Sequence, residues 1–201
     1  MEKLPKKYIS VDIEASGPYP WRSSMLSLGA CVVDQNLNKT FYAELKPITL
    51  AYNLEHFKIG ARSLNCLRDY HFDNFRPNEV LNILKREGNF AGDEIKRFGD
   101  WINFVSEGHR PFLCATPIKF EGMFLSYYFD KFLGKDPFGH SGEDIQSIFR
   151  GNVHDLNADL EEMSLREEGH LTHNALEDAI QQAKEFYVTL VYMRQHNLLS
   201  K

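Results

Sequence analysis

From Tyr8 to Gly17 (YISVDIEASG) the residues alternate as a β-strand does. Alternation sends Ser10, Asp12 and Glu14 to one face and Ile9, Val11 and Ile13 to the other. β-Branched residues fill the second face, which suits a strand buried beneath helices. Ser16, Gly17 and Pro18 then stop it. Two carboxylates on one face of such a strand are costly unless a cation compensates them. Two readings stand. The pair sits at the strand end, in water or beside Lys or Arg. Or it holds a hard divalent ion such as Mg²⁺ or Mn²⁺, which takes oxygen ligands of this kind.

Length and charge narrow the setting. The 201 residues fit a single α/β domain, 1–201, with a core over about 6–197. The formal net charge of −5 argues against a protein that coats duplex DNA. It leaves room for an enzyme holding a short single strand, because bound metals supply local positive charge. The 15 Phe and 9 Tyr are chiefly core material, with some free to stack on bases. Cys31, Cys66 and Cys114 stand in no metal-binding spacing, a reduced intracellular pattern, so the expected location is cytoplasmic. No apolar run approaches the roughly 20 residues that a membrane helix needs.

Along the chain, Met25 to Val33 and Thr40 to Leu45 read as second and third strands. The connections are too short for parallel crossovers, so the first three strands are expected to be antiparallel. From about 47 to 92 the signal is less regular and partly helical, with a helix at Pro77 to Arg86. Gly92 to Val105 places Ile95, Phe98, Ile102 and Val105 on one helical face. A short buried strand is expected at Pro111 to Ala115 and an aromatic helix at Phe120 to Phe132. Glu143 to Phe149 fits either a short strand or a helix, and 151–169 reads as a polar, acidic connection. The last helix, about Ala175 to Asn197, has apolar residues at Leu176, Ile180, Ala183, Tyr187, Leu190 and Val191, with Asn174 as its N-cap and Glu177 three residues on.

The acids can now be collected. Glu121 opens the aromatic helix, and Asp178 lies one turn into the last helix, five residues after His173. Asp12, Glu14, Glu121 and Asp178 make four negative charges, which balance two dications in a two-metal site. His173, just before the cap, is free to take a proton from water, and an ordinary imidazole pKa near 6.5 suits that task. Asp144, Asp155 and Asp159 read as solvated loop acids. His170 and His173 form an HxxH spacing, but no further His or Cys supports zinc.

Asp12-Ile13-Glu14, Phe120-Glu121 and His173-Asn174-Ala175-Leu176-Glu177-Asp178 resemble, in order and spacing, the motifs of the DEDDh 3′–5′ exonucleases. That family includes ribonuclease T, oligoribonuclease and the DNA polymerase proofreading subunit. The resemblance covers nearly the whole chain. It implies the ribonuclease H-like fold, a central mixed sheet flanked by helices. It implies 3′–5′ hydrolysis of RNA or single-stranded DNA to nucleoside 5′-monophosphates, with two ions (Mg²⁺ or Mn²⁺) held by the four carboxylates. One ion would orient and acidify a water, both would clamp the phosphate, and His173 would be the general base. Ser16, Gly17 and Pro18 would meet the terminal nucleotide. The middle motif departs from the pattern, since Glu121 stands where the family has Asp. The extra methylene brings in an alternative: a weakened or inactive relative that binds nucleic acid or a protein. No membrane is expected, and the aromatics and the final helix leave room for a homodimer.

Overall fold

A computed structural model of the chain describes residues 4–160 and 172–195. His170, and with it the HxxH spacing, lies outside the described residues, as does the end of the last expected helix. The acidic strand β1 (Lys6–Ala15) is the middle of five. β2 (Met25–Val32) pairs antiparallel with β1, and β3 (Thr40–Glu44) antiparallel with β2. Three helices follow: α1 (Leu54–Ala61), α2 (Pro77–Glu87) and α3 (Ala91–Val105). This crossover is long enough to return the chain parallel to β1 as β4 (Arg110–Ala115). After α4 (Ile118–Leu133), β5 (Gly142–Asp144) pairs parallel with β4. The described residues end with α5 (Ile145–Val153) and α6 (Ala175–Gln195). The sheet order is β3-β2-β1-β4-β5. The mixed α/β sheet with an antiparallel first half is thus as expected.

The pairing register carries the alternation of β1 across the sheet. Ile9, Val11 and Ile13 stand opposite Val32, Ala30 and Leu28. These side chains join Phe98 and Ile102 of α3 and Phe124, Tyr128 and Phe129 of α4 in the main core. Tyr128 is buried whole, and its hydroxyl oxygen accepts the Met25 N–H at 2.8 Å, so its one polar atom is satisfied. Ser10, Asp12 and Glu14 stand opposite Cys31, Gly29 and Ser27. Across that second set lies α6. A Cβ placed on Gly29 would come within 2.0 Å of the Ala175 carbonyl oxygen, so the bare glycine is what lets the start of α6 settle on β2 beside Asp12.

Four sequence readings are sharpened or corrected by the structure. Residues 54–61 form α1, an eight-residue helix within the segment read as less regular and partly helical, where only Pro77 to Arg86 stands out by sequence; Asn53 caps it by accepting the N–H groups of Glu55 and His56. Residues 143–149 split between strand and helix, because Asp144 ends β5 and caps α5 through Ser147 N–H at 2.8 Å. Asp144 also accepts the Ile118 N–H at the start of α4, so it is a structural cap and not a solvated loop acid. In α6 only Ala183 and Leu190 of the expected apolar stripe are buried, and polar residues share the buried face. Asp178, Gln182, Glu185 and Thr189 are buried with Ala179, Ala183 and Phe186, while Leu176, Ile180, Tyr187 and Val191 stay partly exposed. Among the described residues no helix is long and apolar enough to cross a membrane.

Candidate active site

Three elements deliver the acids. β1 carries Asp12 and Glu14 on the α6 side of the sheet. α6 and α4 each present an acid from the first turn, Asp178 and Glu121, where the unpaired N–H groups of a helix start favour negative charge. All four side chains are buried: Asp12 is 7% exposed, Glu14 8%, Glu121 3% and Asp178 3%. Carboxylate oxygens of Asp12, Glu14 and Asp178 lie within 4.8 Å of one another. Glu121 stands outside that triplet but lines the same cleft, of about 440 Å³. Among the described residues, no Lys or Arg pairs with any of the four.

Acids gathered this way resist ionisation. Burial, and then the charges of Glu121, Glu14 and Asp178, hold the Asp12 carboxyl well above its usual range. Burial pushes Glu121 up to about 8, and burial raises Glu14 and Asp178 too. One oxygen of Glu121, Oε2, is buried without a hydrogen-bond partner. Hard oxygen donors, negative charge without a cationic side chain and an unsatisfied buried oxygen together fit divalent cations. They do not fit zinc's preferred nitrogen and sulfur set.

His173 is half-exposed at the cleft, with Nδ1 3.7 Å from Glu14 Oε1. That is an ion-pair distance, too long for a hydrogen bond. The Glu14 carboxylate raises the imidazole pKa above 6.5. The backbone of His173 lies in the left-handed region, φ 56°, which a non-glycine residue adopts only under constraint. The constraint is visible. The Ser63 hydroxyl donates to the His173 carbonyl, and the Asn174 amide donates to Ser63 O at 3.4 Å. Asn174 Oδ1 accepts the N–H groups of Leu176 and Glu177, as an N-cap does. Thr172 donates to Asp178 Oδ1 from both N–H and Oγ1, at 2.9 and 3.0 Å. One tight turn therefore fixes the imidazole and the last carboxylate together.

Sequence reasoning missed several contributors. Gln182 is fully buried; its Nε2 donates to Asp12 Oδ1 at 2.9 Å, and its Oε1 accepts the Thr116 N–H at 3.0 Å. It ties β1, the β4–α4 turn and α6 at one point. Its signal was position, i+4 from Asp178 on one helix face. Glu55, His56 and Ile59 of α1 form another wall of the cleft, and no periodicity announced that helix. A Cβ on Gly60 would lie 2.9 Å from the Ala15 carbonyl oxygen and from Glu14 Oε2, so α1 packs directly on the acidic strand. Ser16 is 1% exposed, and its hydroxyl donates to Ala51 O and accepts the Ser24 N–H. Gly17 is buried as well, so Pro18 is the member of that triplet that lines a surface pocket.

No family model matches the chain. It is 32% identical over 185 residues to the 3′–5′ DNA exonuclease Cap18 of Escherichia coli, covering 89% of each protein. Its backbone is similar to exonuclease I of Methylocaldum szegediense, with a TM-score of 0.62 at 15% identity. It is also similar to E. coli exonuclease I in complex with a dA16 oligonucleotide, at 0.61 and 16%. A full-length 3′-exonuclease gives 0.61 and 12%. The match covers 96% of this chain but only 41% and 42% of the two exonuclease I chains, against 98% and 84% for the 3′-exonuclease. At these identities the solved structures speak for the fold. The relative at 32% identity speaks for descent, and the chain belongs to the family of 3′–5′ exonucleases that includes Cap18, on the ribonuclease H-like fold.

Proposed function

We propose that this chain is a cation-dependent 3′–5′ exonuclease that shortens single-stranded DNA and releases nucleoside 5′-monophosphates. The observation that carries this reading is the meeting of three buried carboxylates, none paired with Lys or Arg among the described residues, with a constrained imidazole in one open cleft. Kinship with a 3′–5′ DNA exonuclease supports the polarity and the sugar, and the oligonucleotide bound to E. coli exonuclease I supports a single strand. Asp12, Glu14 and Asp178, with Glu121 beside them, would hold two divalent ions, Mg²⁺ or Mn²⁺. Bound there, such ions neutralise the cluster and stabilise charge developing on a phosphodiester.

In the hydrolysis, a water oxygen adds to phosphorus and the bond from phosphorus to the 3′-oxygen breaks. The phosphate leaves on the released nucleotide, and the 3′-oxygen left on the shortened strand takes up a proton from water. His173 takes the proton that the attacking water loses. The neighbouring Glu14 carboxylate stabilises the imidazolium that results, the same interaction that raises its pKa. Gln182 holds Asp12 in place, and Thr172 holds Asp178.

The test is a 5′-labelled strand, as DNA and as RNA, with Mg²⁺, Mn²⁺ or chelator. A ladder shortening from the 3′ end, on DNA and only with metal, is expected. Cleavage that survives chelation, or no cleavage of any strand, would sink the reading. One observation favours the weaker alternative of a binding module: Glu121 stands outside the 4.8 Å triplet, on the longer side chain. If Glu121→Asp raises turnover strongly while His173→Asn changes nothing in the natural protein, that alternative holds.

A further inference from the structure

A second pocket, of about 270 Å³, opens beside the cleft and is lined by Pro18, Tyr19, Arg22, Ser23, Tyr52 and Asn53, with Ala51. The same two segments build both. β1 supplies Ala15 to the cleft, and the loop that follows supplies Pro18 and Tyr19 to the pocket. α1 supplies Glu55 and His56 to the cleft, and the residues just before it supply Tyr52 and Asn53 to the pocket. The segments are bolted together at Ser16, whose carbonyl accepts the Asn53 N–H at 2.8 Å and whose hydroxyl donates to Ala51 O. The surface is therefore continuous and fixed relative to the carboxylates.

Its chemistry is unusual for a surface. Tyr19 and Trp21 stack on each other, with centroids 5.1 Å apart and planes inclined by 16°, yet they are 47% and 59% exposed. Tyr52 is 40% exposed. Flat rings left in water beside one arginine are poorly suited to solubility and well suited to stacking on bases over a phosphate contact. A chain of net charge −5 that holds a polyanion must draw affinity from contacts other than broad positive charge.

We infer that Tyr19, Trp21 and Tyr52, with Arg22, form a base-stacking platform for the nucleotides of single-stranded DNA that precede the one in the cleft. The inference rests on the exonuclease reading for the identity of the strand. It makes length preference a property of this surface: long strands gain stacking that a dinucleotide cannot reach.

The chain has two tryptophans, so Trp101→Phe leaves Trp21 as the sole indole reporter. Trp101 packs on Phe41 and Phe98, where a phenyl ring is a mild replacement. Titrated with a long oligothymidylate in chelator, this variant is expected to show saturable quenching of Trp21 with a shallow dependence on salt. With metal, the double variant Trp21→Ala/Tyr52→Ala should raise KM for the long strand roughly 5- to 150-fold, the equivalent of about 1–3 kcal/mol of stacking. Its kcat, and its KM for a thymidine dinucleotide, should not move. Binding without quenching, or an unchanged KM for the long strand, overturns the platform. So does self-association abolished by Trp21→Ala, which would give the surface to a second copy of the chain. Failure of the exonuclease reading looks different: no strand of any length is cut, while the fluorescence titration still decides whether bases stack on Trp21.

Discussion

The two faces of the sheet are packed by opposite rules. Toward α3 and α4, β1 presents Ile9, Val11 and Ile13 to an apolar core built on Phe98, Phe124, Tyr128 and Phe129. Toward α6, the same strand presents Ser10, Asp12 and Glu14, and the helix answers with buried Asp178, Gln182, Glu185 and Thr189. Apolar burial stabilises at about 25 cal/mol per Å². Gathering unneutralised carboxylates in low dielectric does the reverse. One face therefore supplies stability, and the other draws on it to keep a constellation that bound protons or added cations would relieve.

Substitutions on each face can break this contrast. The largest effect should come from His173→Asn, which removes the proposed base while keeping a residue that tolerates the left-handed backbone at that position. A fall in turnover of about 10²- to 10⁴-fold is expected, with the melting temperature almost unmoved. Kinetics and calorimetry on one preparation check both halves. On the other face the pattern inverts. Phe129→Ala, at a fully buried ring stacked on Phe98, should cost about 3–5 kcal/mol in denaturant melts and leave the activity of the folded fraction intact. A loss of metal-dependent turnover in folded Phe129→Ala would deny the division of labour.

Smaller effects sharpen it. Gln182→Leu keeps the volume but frees Asp12 and strands the Thr116 N–H. About 10- to 100-fold lower activity, or a comparable rise in the metal concentration needed, is expected from a metal titration. The smallest effect is on stability against pH in chelator. Glu121 has a folded pKa of about 8 against an ordinary 4.5, so between those values the folded chain keeps a proton that the unfolded chain has released. Stability is then fully present below about 4.5 and is lost as pH rises through about 8. The raised values of Asp12 and His173 act with the same sign. Melting temperature in chelator should fall across that window, and Mg²⁺ or Mn²⁺ should restore it most at the alkaline end. A flat profile would mean that the cluster carries no such strain.

The contrast also sorts what could be read in advance. Period-two and period-3.6 patterns on the apolar face reported their elements directly: β1 through Ile9, Val11 and Ile13, α3 through Ile95, Phe98 and Ile102. The polar face defeated the same method. In α6 the apolar residues Leu176, Ile180 and Tyr187 suggest a buried stripe that the helix does not use, because Asp178 and Gln182 turn inward to the site. α1 went unseen because eight residues cannot establish a period, and its cap Asn53 is one of many polar residues there.

Amino-acid order alone settled the first four strands, the long helices and the spacing that marks the family, since these rest on local periodicity and on residue type. Tertiary packing decided the rest. Gly29 admits α6, Gln182 reaches Asp12 across 170 positions of chain, and Glu121 falls outside the 4.8 Å group. Each depends on distances between segments remote in the chain, to which no local pattern is sensitive.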